Sequence, residues 1–241
     1  MENQKQFSSE NSFIVFTKNE IIEAIKENKL IKVIIRYNYR NRDFEDLLKK
    51  NKIPFTYKND DFFKNFKKNT NFVGYVSPVK IYSINEIKKE NDNFYVLPLN
   101  IEDPHNLGAI IRSSEIFGAK GILLQKRRGV TITPTVIKTS TGAIFHIKIF
   151  EFNSIINTIK ELKKKGFWII SLDLSGDKEL QSFEPIKPFI LIVGGEDKGI
   201  NKKVLEESDF VVRIKTFGKT QSLNTSVALG IALYELTKTN K

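Results

Sequence analysis

Apolar and polar positions follow two rhythms along this chain. Between residues 13 and 76 the segments are short and mixed. In "NEIIEAIKEN" the apolar Ile21, Ile22, Ala24 and Ile25 recur at helical spacing, with Asn19 as a candidate cap. "IKVIIRY" predicts a strand, "DFEDLLKKNKI" a second helix with Asp43 as a candidate cap, and "PFTY" and "NFVGYV" two short strands. The polar "YSINEIKKENDN" places a domain boundary within about residues 77–93. From Asn93 onward, apolar runs such as "FYVLPLN", "GILLQ", "IFHIKIFEF", "FWIISLDL", "FILIVGG" and "FVVRIKT" alternate with the helical stretches "GAIIRSSEIFG", "TPTVIKTS", "SIINTIKELKKKG" and "NKKVLEES" and a final helix from about Leu223. Near-continuous apolar strands alternating with helices predict an α/β domain around a buried parallel sheet. Thr133–Pro134 reads as a cap followed by proline at the first helical position, and Gly118 and Gly166 suit helix C-termini. The expected organisation is a flexible N-terminus (1–12), a small α/β unit (13–76), a linker (77–92) and a larger domain (93–241).

In such sheets ligands bind beyond the carboxyl ends of the strands. Three loops there are chemically unusual. The first is "DPHNLGAIIRS", where Asp103 or Asn106 can cap the helix and Pro104 fixes its entry. Gly108 precedes Arg112 by four residues, so the two share a helix face and something can approach the guanidinium at residue 108. The second is "LIVGGEDKG", in which paired glycines permit close backbone approach and Glu196 projects from a strand end. It is neither a dinucleotide fingerprint nor a P-loop. The third is "SLNTS", where Ser222 can cap the last helix and Asn224 falls in its first turn. That helix is apolar almost all round, which predicts burial on more than one side, as core and as a dimer interface.

Composition narrows the chemistry. With 40% hydrophobic and 28% charged residues the chain reads as globular. The absence of cysteine excludes disulfides and thiolate metal sites, and two histidines, His105 and His146, argue against a histidine-rich metal centre. Neither a signal-peptide core nor a membrane-length apolar run is present, so a cytoplasmic protein is expected. The net charge of +11 fits a polyanionic partner, although lysine-rich composition bias accounts equally well for it. Arginine is scarce, only seven of the 39 basic residues, so each arginine is less readily dismissed as a plain surface cation.

Together and in this order, the three loops, with "KTSTGA" between the first two, resemble the motifs of the SpoU (TrmH-like) family of RNA ribose 2′-O-methyltransferases in the SPOUT superfamily. Residues 93–238 carry the resemblance strongly. Residues 13–76 resemble, more weakly, the L30e-like RNA-binding domain found in ribosomal-RNA members, with Phe72, Val73 and Gly74 where His-Gln-Gly is usual. Ile214, Lys215 and Thr216 stand where the family has Ile-Pro-Met. The resemblance implies a parallel-sheet SPOUT domain with a C-terminal trefoil knot. It implies S-adenosylmethionine as cofactor, at Gly194, Gly195, Ile214, Thr216 and Leu223, and a homodimer with the active site at the subunit interface. Its polar catalytic set falls on Asn106, Arg112, Glu196, Ser222 and Asn224. No metal is required.

The implied reaction transfers a methyl group to a ribose 2′-hydroxyl, most closely as in the ribosomal-RNA guanosine branch acting on 23S RNA. A guanidinium is a poor proton acceptor near neutral pH. Arg112 is therefore expected to hold the neighbouring phosphate and stabilise developing alkoxide charge, with Glu196 orienting Arg112 or taking the proton through a water. RNA contact is further expected at Arg36, Arg40 and Arg42 and at Lys126, Arg127 and Arg128. A tRNA ribose methyltransferase, a base methyltransferase and an inactive RNA-binding homologue stay open as alternatives.

Overall fold

The computed structural model describes residues 12–66, 70–126, 131–220 and 222–238. Arg127 and Arg128 lie outside them, as does nearly all of the expected N-terminal tail. The chain divides into two compact units, at Val79/Lys80.

The first unit contains β1 (Phe13–Val15), α1 (Lys18–Lys26), β2 (Leu30–Arg36), α2 (Arg42–Lys50), β3 (Phe55–Lys58), α3 (Asp60–Lys64) and β4 (Phe72–Val76). Its sheet runs β1-β4-β2-β3, antiparallel except for the β2–β3 pair. The helix caps differ from the sequence expectation. Thr17, not Asn19, caps α1, and Asn41, not Asp43, caps α2. Each true cap has the extended backbone that lets its side-chain oxygen reach a free N–H of the first turn. In α1 the cap is reciprocal: Glu20 Oε2 accepts from the backbone N–H groups of Phe16 at 3.0 Å and Thr17 at 2.8 Å. These donors explain why a carboxylate only 2% exposed is tolerated among Ile21, Ala24 and Ile25. Glu20→Ala is expected to cost about 1–2 kcal/mol, measured as a shift of the urea midpoint; an unchanged midpoint would refute this account of the buried acid.

The second unit contains β5 (Ile81–Ser83), β6 (Phe94–Leu99), α4 (Pro104–Ile116), β7 (Gly121–Gln125), α5 (Pro134–Thr139), β8 (Lys148–Phe152), α6 (Ile155–Lys164), β9 (Trp168–Leu172), β10 (Lys178–Glu179), β11 (Phe189–Gly194), α7 (Lys202–Glu207), β12 (Phe210–Arg213) and α8 (Thr225–Leu236). The sheet order is β10-β12-β9-β11-β6-β7-β8-β5, and every neighbouring pair is parallel. The stretch expected as linker is thus partly structural: β5 lies within residues 77–92 and forms the sheet edge against β8. Tyr95, Leu97, Leu99, Ile190 and Ile192 pack with Ile159 and Leu162 of α6 and Val204 of α7. Strand alternation turns Val96, Leu191 and Ile122 to the opposite face, where α4 packs on α5, α8, β6 and β7. Both faces are covered, which is why the strands read as unbroken apolar runs. Thr133 caps α5 ahead of Pro134, and Gly118 and Gly166 take left-handed φ values of 83° and 84° past their helices.

The strand order matters for the site. Because β12, β9, β11 and β6 are parallel neighbours, their carboxyl ends lie along one edge and the loops that follow them converge.

Candidate active site

The loop after β11 is tied to the end of β6 and the loop that follows it by backbone and side-chain hydrogen bonds. Gly195 N donates to Leu99 O at 2.8 Å, Gly199 N donates to Gly195 O at 2.9 Å, and Asn100 Nδ2 donates to Gly199 O at 3.2 Å. Glycine is required for this approach. A Cβ at Gly194 would sit 2.4 Å from the Gly199 carbonyl carbon, and one at Gly195 would sit 2.1 Å from Asn100 O. Lys198 donates to Glu102 Oε1 at 2.6 Å across the same two loops. This hydrogen bond and the lysine charge hold the Glu102 carboxyl below its ordinary range and raise Lys198.

Three of the five expected catalytic residues form one network. Asn224, rather than Ser222, is the N-cap of α8: its Oδ1 accepts from Ser226 N at 3.0 Å and Val227 N at 3.3 Å. With the oxygen committed to the helix, the amide nitrogen faces the other way. It donates to Asn106 Oδ1 at 3.0 Å and to Glu196 Oε1. Asn106 Nδ2 in turn donates to Glu196 Oε1 at 3.1 Å. One carboxylate oxygen thus takes two amide donors.

Arg112 stands outside this network. Its NH1 donates to Thr141 Oγ1 at 3.3 Å, while the hydrogen bonds of Glu196 go to Asn106 and Asn224; of the two roles expected for Glu196, no contact here corresponds to orienting Arg112. Helix geometry gives the reason: at about 100° per residue, positions six apart point about 120° away from each other. Asn106 and Arg112 are therefore on different faces of α4. Among the described residues no carboxylate pairs with Arg112, and its side chain is exposed. Gly108, on the Arg112 face, lets the end of α5 close in: a Cβ there would lie 2.6 Å from Thr139 Cβ.

Next to the Glu196 network an open cleft is lined by Gly194, Gly195, Glu196, Ile214, Thr216, Ser222 and Leu223, together with Leu172, Asp173, Leu174, Val193, Ile200, Thr225 and Ala228. All five residues expected at the cofactor site are in this wall. Thr225 Oγ1 donates to Gly194 O at 2.9 Å and joins α8 to the end of β11. Asp173 and Leu174, in the loop after β9, were not anticipated from sequence. The available signal was their position after an apolar strand; what sequence lacked was that β9 neighbours β11. Of the expected RNA contacts, Arg40 and Arg42 are exposed in the first unit, and Arg40 lies over the Tyr57 ring at 4.2 Å. Arg36 is engaged with Asp60 at 3.4 Å and with the Phe63 ring at 5.0 Å. Lys126 is exposed at the end of β7.

No cluster of acidic or histidine side chains able to hold a metal occurs among the described residues, and no helix there is long and apolar enough to cross a membrane. The fold resembles that of the SpoU methyltransferase AviRb from Streptomyces viridochromogenes, solved in complex with AdoMet, with a TM-score of 0.81 at 20% identity over 94% of this chain and 89% of that one. An AdoMet-bound rRNA methyltransferase from Sinorhizobium meliloti aligns with a TM-score of 0.79 at 23% identity over 93% and 86% of the two chains. In sequence, a putative TrmH family tRNA/rRNA methyltransferase, YacO, of Bacillus subtilis is 33% identical over 92% of this chain and 94% of its own length. An uncharacterized tRNA/rRNA methyltransferase of Archaeoglobus fulgidus is 36% identical over 91% and 96%. A family model, the SpoU rRNA methylase family, matches residues 93–234, the span that holds the three loops, the glycine-walled cleft and the Glu196 network. By both the family match and the near full-length relatives, the chain belongs to the SpoU rRNA methylase family.

Proposed function

We propose that this chain is an S-adenosylmethionine-dependent RNA ribose 2′-O-methyltransferase acting on ribosomal RNA, with a guanosine of the 23S molecule as the favoured target. The observation that carries the reading is the placement of the Asn106–Glu196–Asn224 network at the rim of the cleft. The lining of the cleft suits the cofactor in chemistry. Leu172, Leu174, Ile200, Ile214 and Leu223 offer apolar walls for a ring, while Asp173, Thr216 and Ser222 offer polar groups for a ribose and a positively charged tail. Bound there, S-adenosylmethionine supplies an electrophilic methyl carbon. The chain's own task is then to align the acceptor and move its proton. Glu196 Oε1 is occupied by two amides, which leaves Oε2 to accept a hydrogen bond from the acceptor ribose, directly or through water. Arg112, which no carboxylate pairs with among the described residues, brings positive charge for the adjacent phosphate and the developing alkoxide. Ser222, at the rim, completes the ribose contacts.

The same reading takes the end of the chain as a trefoil knot and residues 13–76 as an L30e-like RNA-binding domain. Exposed Arg40 and Arg42 would meet phosphates in the first unit, and exposed Lys126 would do so in the second. It also takes the enzyme as a homodimer. Val227, Ile231 and Tyr234 are 51%, 36% and 57% exposed on α8, an apolar stripe beside the buried Leu229 and Leu233. Ile231→Glu is expected to yield a monomer by analytical ultracentrifugation and to lose transfer; a dimer with full activity would place the interface elsewhere.

Transfer of labelled methyl from S-adenosylmethionine to total RNA of a deletion strain, followed by mapping of ribose methylation and rescue by the gene, tests the proposal. A restored 2′-O-methyl in 23S RNA supports it. A restored mark in tRNA moves the substrate, and no transfer to any RNA favours a binding protein.

A further inference from the structure

We propose that Thr141 is a positioning residue for methyl transfer, retained in a strained conformation because its hydroxyl fixes the guanidinium of Arg112. Three observations meet here. First, Thr141 has φ 53°, just past the end of α5, and Gly142 follows with φ 90°. The position after a helix end favours glycine or asparagine, and a β-branched side chain at positive φ is a genuine outlier. Such strain survives where the surroundings over-determine it, and it concentrates at functional sites.

Second, the hydroxyl is committed in direction. Thr141 Oγ1 donates to Thr139 O at 3.4 Å, so its lone pairs are free to accept from Arg112 NH1 at 3.3 Å. A guanidinium has donors only, and a neutral acceptor aligns it without cancelling its charge. A carboxylate in the same place would neutralise the group that the proposed mechanism needs for phosphate.

Third, the turn that presents Thr141 is built against α4. Gly108 admits Thr139, Val136 O and Ser140 N to within 2.6, 3.0 and 3.1 Å of where a Cβ would stand. Ser140, fully buried, donates to Ile137 O at 2.9 Å and secures the turn. The "KTSTGA" stretch thus serves Arg112 through one hydroxyl, a role distinct from the Glu196 network.

The inference rests on the role of Arg112 proposed above, and the test separates the two. Label transfer to total RNA at saturating S-adenosylmethionine, cofactor KM and the thermal midpoint are measured for Thr141→Ser, Thr141→Ala, Thr141→Gly and Arg112→Ala. Thr141→Ser, which keeps the hydroxyl, should hold the rate within about threefold, while Thr141→Ala should lower it about tenfold or more with cofactor KM unchanged. Thr141→Gly, which removes the strain, should match or exceed wild-type stability and still lose rate. Equal losses in the serine and alanine variants, or wild-type rates in the alanine and glycine variants, overturn the role of Thr141. A fully active Arg112→Ala instead overturns the mechanism on which it rests.

Discussion

Arg112→Ala is expected to reduce methyl transfer by about 10²–10³-fold or more, the loss typical when a donor that stabilises developing charge is removed. S-adenosylmethionine affinity should change little, because Arg112 is absent from the lining of the cleft. The split follows from where the side chain sits. Its partner is a neutral hydroxyl, so the variant strands no buried charge, and the exposed position limits any cost in stability. The measurement is titration calorimetry with the cofactor beside label transfer to RNA. Transfer at the wild-type rate would remove Arg112 from the mechanism, and a parallel loss of cofactor affinity would show that the residue acts on the cleft. Arg112→Lys is the sharper variant: it keeps the charge but not the planar fork, and should recover only part of the rate.

Gly195→Ala is expected to damage cofactor binding itself. The added Cβ would lie 2.1 Å from Asn100 O and 2.9 Å from the Asn100 carbonyl carbon, both backbone atoms that no side-chain rotation can clear. The loop must therefore move, and the hydrogen bond from Gly195 N to Leu99 O moves with it. Overpacking of this kind costs about 1–3 kcal/mol. The displacement falls on the cleft wall and on Glu196, one residue further on. Cofactor affinity should fall about tenfold or more, equivalent to about 1.4 kcal/mol or more, with a lower thermal midpoint. An alanine variant that binds the cofactor with wild-type affinity would show that the two loops are free to separate.

The layout of the larger unit was legible because its strands are buried on both faces and so read as apolar runs. The unusual residues after β6, β11 and β12 were legible for a related reason: paired glycines, an acid or an asparagine at a strand end break the apolar pattern. Other features lie below the reach of pattern. β5 and β10 are three and two residues long and show no periodicity. Thr17 and Asn19 are equivalent candidates until backbone dihedrals choose between them, and Ser222 and Asn224 pose the same ambiguity. Asp173 and Leu174 required knowledge of strand order. The separation of Arg112 from Glu196 was present in the sequence as a six-residue spacing from Asn106, but it becomes visible only when the helix is drawn as a wheel.

Asn224 carries a constraint of another kind. Its oxygen ends a helix and its nitrogen organises an acid, so a single planar group serves both secondary structure and chemistry. Aspartate would keep the cap but set a second carboxylate against Glu196. Serine would also cap, yet it has no pair of N–H donors to share between Asn106 and Glu196. Glutamine has both atoms but is one methylene too long for a cap. Few positions in a protein admit so narrow a choice. Here that narrowness has a practical meaning: a rate lost on changing Asn224 cannot be assigned to catalysis until the first turn of α8 has been shown to survive.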